Sequence, residues 1–273
     1  MTFLYEGRCS MDFFAADGVR LTCRIDGQDD KPTLVMVNSL GTDLRMWDPQ
    51  VARLGRNLRI VRYDSRGHGA SDVPDGPYTI EQLGLDLLAL LDTLQIERAH
   101  ICGLSLGGIV ALWFAIHYPN RVDRAVFANT AARIGTKETW AARIAAVQKG
   151  GMAAVQDAVL ARFLSEKFRQ QHPEVVQQVA TMLDATNPIG YIGSCAALLD
   201  ADLRAKVSTI HIPSLIIAGG LDESTPPAQA GELHAAIAGS KLVIMHEVAH
   251  LSNVEQPEAF SKYLLNFLTN RKQ

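Results

Sequence analysis

Six short runs constrain what this chain can fold into more than anything else in it: "TLVMVN", "LRIVRYD", "AHICG", "RAVFANT", "SLIIAGG" and "KLVIMH". Each is a continuous apolar stretch rich in β-branched residues, too short for a helix that must bury itself. Such runs suit strands covered on both faces, the condition of a mainly parallel sheet. A seventh run, "VRLTCRIDG", alternates apolar and polar residues as a half-buried edge strand does. Between most of the runs lie helical patterns. In "TIEQLGLDLLALLDTL" the residues Ile80, Leu83, Leu87, Leu90 and Leu94 share one stripe, with Thr79 placed to cap the first turn. Strand and helix in alternation imply right-handed crossovers and a doubly wound α/β sheet.

The alternation stops between about Thr130 and Val207, where helical stretches run over Glu138–Lys149, Met152–Phe163, Pro173–Leu183 and Ile189–Leu199. A helical insertion in such a sheet is most simply a cap over the carboxyl edge of the strands, where ligands bind. The expected organisation is therefore a core of residues 1–130 and 208–273 with a helical cap at 131–207. Residues 1–10 precede the first strand pattern and read as a tail, with Met11 as an alternative start.

Composition narrows the partners. A formal net charge of −3 over 273 residues offers no basic stripe for nucleic acid. The longest uncharged stretch, Ile101–Ile116, is too short to span a bilayer, and the N-terminus has no basic region followed by an apolar core. The four cysteines, Cys9, Cys23, Cys102 and Cys195, are scattered without metal spacing and read as reduced thiols of a cytosolic protein. The oligomeric state is left open.

The run "AHICG" leads into Gly103-Leu104-Ser105-Leu106-Gly107, a G-x-S-x-G elbow, and then into the apolar helix "GIVALWFAIHYP". A serine lifted above a sheet at a tight strand-to-helix turn needs minimal neighbours two residues either side, and Gly103 and Gly107 supply them. The turn also leaves Ser105 at a helix N-terminus, where unpaired N–H groups favour developing negative charge. A capping serine is the plainer reading of five loosely constrained positions. The strand before and the helix after favour a nucleophile.

A hydroxyl nucleophile needs a base, and the base needs an orienting carboxylate. Asp222 stands just past "SLIIAGG", with Glu223 as its neighbour and competitor. The slot after the preceding strand holds Asn129, not an acid, which removes the usual alternative. His250 lies in the loop beyond "KLVIMH", while His246 at the strand end reads as structural. His68, within "DSRGHGASD", reads as part of a structural turn, and His100, His117, His172, His211 and His234 carry no special signal. The order Ser105, Asp222, His250 matches the chain order of this elbow's triads. For the oxyanion, the backbone N–H groups of Leu106 and of Leu40, in the loop "NSLGTDLRMW", are the expected donors.

At this point the sequence resembles a known family. "VNSLGTDLRMWDPQ", "RIVRYDSRGHGASD", "HICGLSLGGIVALWFAIHYP" and "VAHLSNVEQPEAF" are similar to the α/β-hydrolases. "NTAARIGTKETWAARI" and "GYIGSCAALLDADLR" narrow the likeness to the 3-oxoadipate enol-lactonase branch, as does Asn38-Ser39 where many members carry His-Gly. The resemblance implies the α/β-hydrolase fold, the triad Ser105, Asp222 and His250, no cofactor and no metal. It also implies an anionic small-molecule substrate, a five-membered enol lactone bearing an acetate arm, within aromatic catabolism.

The acetate arm asks for a cation that bulk charge does not supply. The cap's entry segment "RIGTKETWAARIAAVQK" carries Arg133, Lys137, Arg143 and Lys149 against Glu138 alone. Arg133, nearest the sheet, is the expected carboxylate partner, since a guanidinium binds carboxylate bidentately. Trp140 shares an apolar helix face with Ile144 and Val147 and is placed to roof the pocket, whereas Lys137 and Arg143 read as surface residues. A general carboxylesterase, a C–C hydrolase, a perhydrolase or a slow-turnover small-molecule receptor share the triad, and multiple turnover separates the last from the others.

Overall fold

The structure, a computed structural model, describes residues 9–269. Eight strands form one sheet: β1 (Cys9–Phe14), β2 (Arg20–Asp26), β3 (Thr33–Val37), β4 (Arg59–Tyr63), β5 (Ala99–Leu104), β6 (Val122–Ala128), β7 (Ser214–Gly219) and β8 (Lys241–Met245). Their order is β1-β2-β4-β3-β5-β6-β7-β8. The first two pairings, β1 with β2 and β2 with β4, are antiparallel, and the rest of the sheet is parallel. As the continuous apolar runs require, every residue of β5 and of β7 is buried.

Among the described residues the helices are α1 (Asp48–Leu54), α2 (Ile80–Thr93), α3 (Leu106–His117), α4 (Lys137–Gly150), α5 (Gln156–Phe163), α6 (Glu166–Gln171), α7 (Pro173–Ala185), α8 (Pro188–Asp200), α9 (Pro227–Ala236), α10 (Ser252–Glu255) and α11 (Pro257–Thr269). Thr79 caps α2 in a reciprocal box with Gln82: each side chain meets the other residue's backbone N–H. Helix α3 is apolar all round and lies buried against β5 and β6. Five helices, α4 to α8, fill the chain between β6 and β7, with α4 packed on α8 and α5 on α7.

Three expectations need adjustment. Residues 9 and 10 belong to a strand, β1, and not to a tail; residues 1–8 lie outside the described residues. The stretch Met152–Phe163 is broken, a 3-10 turn over Met152–Ala154 preceding α5. The short helix α6 lies where no element was expected.

Register aligns the strand ends. Val37 pairs with Gly103, Leu104 with Ala128, Ala128 with Ile217, and Gly219 with Met245. The loops that follow β3, β5, β6, β7 and β8 therefore leave the sheet at one carboxyl edge; they carry Leu40, Ser105, Arg133, Asp222 and His250, while Leu106 opens α3 and Trp140 lies in α4.

Candidate active site

Strand β5 ends at Leu104 and α3 begins at Leu106, so Ser105 alone makes the turn. Its backbone is forced to φ 59°, ψ −116°, a strained conformation costing about 1–3 kcal/mol for a residue with a side chain. The surroundings hold it there. Its N–H donates to the Ala128 carbonyl at 3.0 Å, and its own carbonyl accepts from Ile109 N–H at 3.1 Å and Thr130 Oγ1 at 2.8 Å. A Cβ on Gly103 would sit 2.0 Å from the Gly107 carbonyl oxygen, and one on Gly107 would sit 2.2 Å from that of Val37. Both glycines are thus required by close backbone approach at the elbow.

His250 Nδ1 lies 2.8 Å from Asp222 Oδ2, and both side chains are buried. An ionised carboxylate only accepts, so Nδ1 carries the hydrogen, and in the neutral form of the ring it is Nε2 that holds the free lone pair. Asp222 is held by more than the histidine. Its Oδ1 accepts the N–H groups of Ser224 at 2.9 Å and Thr225 at 3.0 Å, and its Oδ2 accepts Thr225 Oγ1 at 2.7 Å and Asn129 Nδ2 at 3.0 Å. Burial pushes this carboxyl up, but the charge of His250 and the bonds from His250, Asn129 and Thr225 outweigh it and hold Asp222 below the ordinary carboxylate range. Asn129, fully buried at the end of β6, is oriented in turn by Ser252 Oγ, which donates to its Oδ1 at 2.5 Å.

The loop after β3 approaches from the other side. His68 Nε2 accepts the Gly41 N–H at 3.0 Å, while its Nδ1, 3.1 Å from the Arg66 carbonyl, carries the hydrogen. Burial lowers the pKa of His68, which keeps the ring neutral and able to accept. The histidine of the "RGHG" turn therefore fixes the loop that presents Leu40.

Ser39, Leu40, Ser105 and His250 line one cavity of about 270 Å³ with Ile134, Trp140, Arg143, Arg162, Phe163, Tyr191 and Glu223. Trp140 is buried there, its indole N–H donating to the Ile134 carbonyl at 2.6 Å. Arg133 is placed elsewhere: it lines a separate cavity of about 690 Å³ beyond Gly135, and its guanidinium stands 3.6 Å from Asp202. Its partner is already in the protein.

Arg143, expected at the surface, instead enters the Ser105 cavity with its guanidinium 4.8 Å from the centre of the Trp140 ring. Arg162 of α5 lines the same cavity. Both influence Tyr191, whose phenol burial pushes up to about 12 against an opposing pull from the two arginines. Helical spacing on α4 carries Arg143 one turn beyond Trp140, and that three-residue offset was the available signal. Nothing in the local pattern marked Arg162, Tyr191 or the ring of Phe163, which stacks on His250 with centroids 5.5 Å apart.

Residues 32–257 match the alpha/beta hydrolase fold family. The chain is 42% identical over 250 residues to 3-oxoadipate enol-lactonase 2 of Acinetobacter baylyi, covering 92% of this chain and 93% of that one. The crystal structure of the enol-lactonase from Burkholderia xenovorans LB400 superposes with a TM-score of 0.93 at 43% identity, covering 95% of this chain and all of that one. A malate-bound thermophilic esterase from Thermogutta terrifontis superposes with a TM-score of 0.88 at 26% identity, covering 96% of this chain and 97% of that one.

Proposed function

Because the chain belongs to the α/β-hydrolase-fold family, we propose that it opens the ring of 3-oxoadipate enol-lactone through an acyl-enzyme on Ser105. The observation that carries this reading is the cavity itself. Ser105 and His250 share it with two arginines that none of the ion pairs among the described residues engages. A nucleophile and base beside guanidinium groups that no carboxylate among the described residues neutralises suit an ester that carries one.

In the proposed reaction, Ser105 Oγ attacks the ring carbonyl while His250 Nε2 takes its proton. Asp222 stabilises the imidazolium through Nδ1. The N–H groups of Leu40 and Leu106 receive the oxyanion. Collapse breaks the ring C–O bond and expels an enolate, a better leaving group than a simple alkoxide, which His250 protonates. The enol ketonises while still tethered. Water, deprotonated by His250, then attacks the acyl-enzyme carbonyl, and Ser105 leaves with the proton returned, releasing 3-oxoadipate. Arg143 and Arg162 hold the acetate arm, and Trp140 closes the apolar side of the ring. Helices α4 to α8 act as the cap that keeps bulk water out.

The test is Ser105→Ala, which removes one hydroxyl and leaves the elbow's backbone intact. Wild-type protein is expected to convert the enol-lactone to 3-oxoadipate over many turnovers, and the variant to keep less than about a thousandth of wild-type kcat. A variant that retained more would remove Ser105 from the chemistry, and a burst followed by a stall would indicate a receptor.

A further inference from the structure

The loop that carries His250 is fastened to the helical segment by a buried acid that the proposed reaction does not use. Glu255 closes α10, and only 9% of it is exposed. Its Oε1 accepts the Ala249 N–H at 2.7 Å and the Ser165 N–H at 3.1 Å, and its Oε2 accepts Ser165 Oγ at 2.5 Å. One carboxylate therefore grips the residue immediately before His250 and the residue that follows α5 by two. A second tie runs beside it: the Leu251 N–H donates to the Phe163 carbonyl at 2.8 Å. His250 is thus bracketed, Leu251 bonded directly and Ala249 through the Glu255 carboxylate to the segment Phe163–Ser165, with the Phe163 ring stacked on the imidazole between them.

The same short helix reaches the rest of the site. Ser252 orients Asn129, and Asn253 donates to the Met46 carbonyl at 2.9 Å and accepts from Gln50 at 2.8 Å. Met46 lies in the turn that follows the Leu40 loop, and its sulfur accepts the Ser39 N–H at 3.3 Å. Burying a carboxyl is costly, and burial does raise the pKa of Glu255. Three donors offset that cost only in one arrangement, which gives the contact directional precision that an apolar plug would lack.

We propose that Glu255 is a positioning residue: it locks the His250 loop to Ser165, so that the cap sets the aim of the catalytic base. This rests on the reading of His250 as the base. A carboxylate satisfies three donors at once. A glutamine can keep its one oxygen on the two N–H groups. Its NH₂ then makes Ser165 Oγ, which already accepts the Phe168 N–H, an acceptor and takes the carboxylate from the hydroxyl's own hydrogen. Glu255→Gln therefore replaces bonds to a charged acceptor with weaker neutral ones and loosens the bracket at nearly constant volume. Ser165→Ala removes the hydroxyl alone and leaves the carboxylate on its two N–H groups.

The experiment measures kcat and KM for p-nitrophenyl acetate together with Tm, for wild type, Ser105→Ala, Glu255→Gln and Ser165→Ala. This small neutral ester needs Ser105 and His250 but neither arginine, so its turnover is independent of the lactone assignment. Loss of ester turnover in Ser105→Ala checks the nucleophile separately. The expected result is a fall in kcat of between about tenfold and a hundredfold for Glu255→Gln, the scale of a misaimed base, with KM within about twofold. Ser165→Ala should lower kcat by a smaller factor in the same direction. If both variants kept wild-type kcat well below their melting temperatures while Tm fell, Glu255 would be structural cement and the proposal overturned. Should Glu255→Gln fail to fold, Ser165→Ala decides by the same criterion, since it leaves the buried carboxylate in place.

Discussion

Arg133 and Arg143 lie ten residues apart in one basic segment, and only packing tells them apart. Arg133 is engaged with Asp202, which also binds Arg204 at 2.6 Å. That pairing holds the Asp202 carboxyl down at about 2, chiefly through the bond from Arg204. Arg143 faces Trp140 and the cavity lined by Ser105 and His250 instead. Arg143→Ala is therefore expected to raise KM for the acidic lactone between about tenfold and a hundredfold, the scale of a lost hydrogen bond to a charged group. KM for p-nitrophenyl acetate should stay within about twofold, and Arg133→Ala should leave both unchanged. Steady-state kinetics of the two variants on the two substrates check this, and equal effects on lactone and ester would return Arg143 to a structural role. The sequence marks Ser105, Asp222 and His250 as candidates because each follows a strand in a fixed order. It does not mark Asn129, Arg162 or Glu255 as members of the site, because their neighbours arrive from elements distant in the chain.

Among the elements, what local pattern could reveal depended on burial. Strands β3 to β7 were legible as apolar runs because the sheet there is covered on both faces, β8 from its apolar composition although as an edge strand it is only half-buried, and α2 from its stripe and cap. Strand β1 is an edge strand in which Phe13 is buried while Phe14 is 62% exposed, so its short alternation carries little signal. Helix α6, "EKFRQQ", has no buried residue and hence no stripe to read. Strand order is not a local property at all; β4 comes to lie between β2 and β3 through pairing alone. The cap of α2 gives a test at this scale. Thr79→Ala should cost about 1 kcal/mol of stability, the worth of one N-cap, with kcat unchanged, as chemical denaturation beside an activity assay would register. A loss of activity without a loss of stability would mean that α2 communicates with the site in a way its packing does not indicate.

Across the whole molecule, buried acids couple stability to pH. Asp64, at the end of β4, accepts the N–H groups of Leu44 at 2.8 Å and Ala70 at 2.9 Å, tying the turn after β3 to the "RGHG" turn. Burial raises its pKa to about 6, against the pull of those two bonds. Between about pH 4 and 6 the folded chain therefore holds a proton that the unfolded chain has released, and this group's contribution to stability falls as pH rises through that window. Asp64→Asn cannot titrate. The stability advantage of wild type over the variant should shrink by about 3 kcal/mol between pH 4 and pH 7, roughly two pKa units at about 1.4 kcal/mol each. Denaturation at the two pH values measures it, and a constant difference would show that Asp64 ionises as easily in the fold as out of it.

These scales converge on one claim, that a serine strained at the carboxyl edge of the sheet serves a pocket built for an acidic enol lactone. The most direct measurement is kcat/KM of wild-type protein for 3-oxoadipate enol-lactone, generated in situ, beside that for p-nitrophenyl acetate. The predicted result is a lactone value about three or more orders of magnitude above the ester value, since binding the arm is expected to serve the transition state as well as the ground state. Comparable and feeble values on both would leave a working triad with a different acyl substrate and contradict the lactonase assignment.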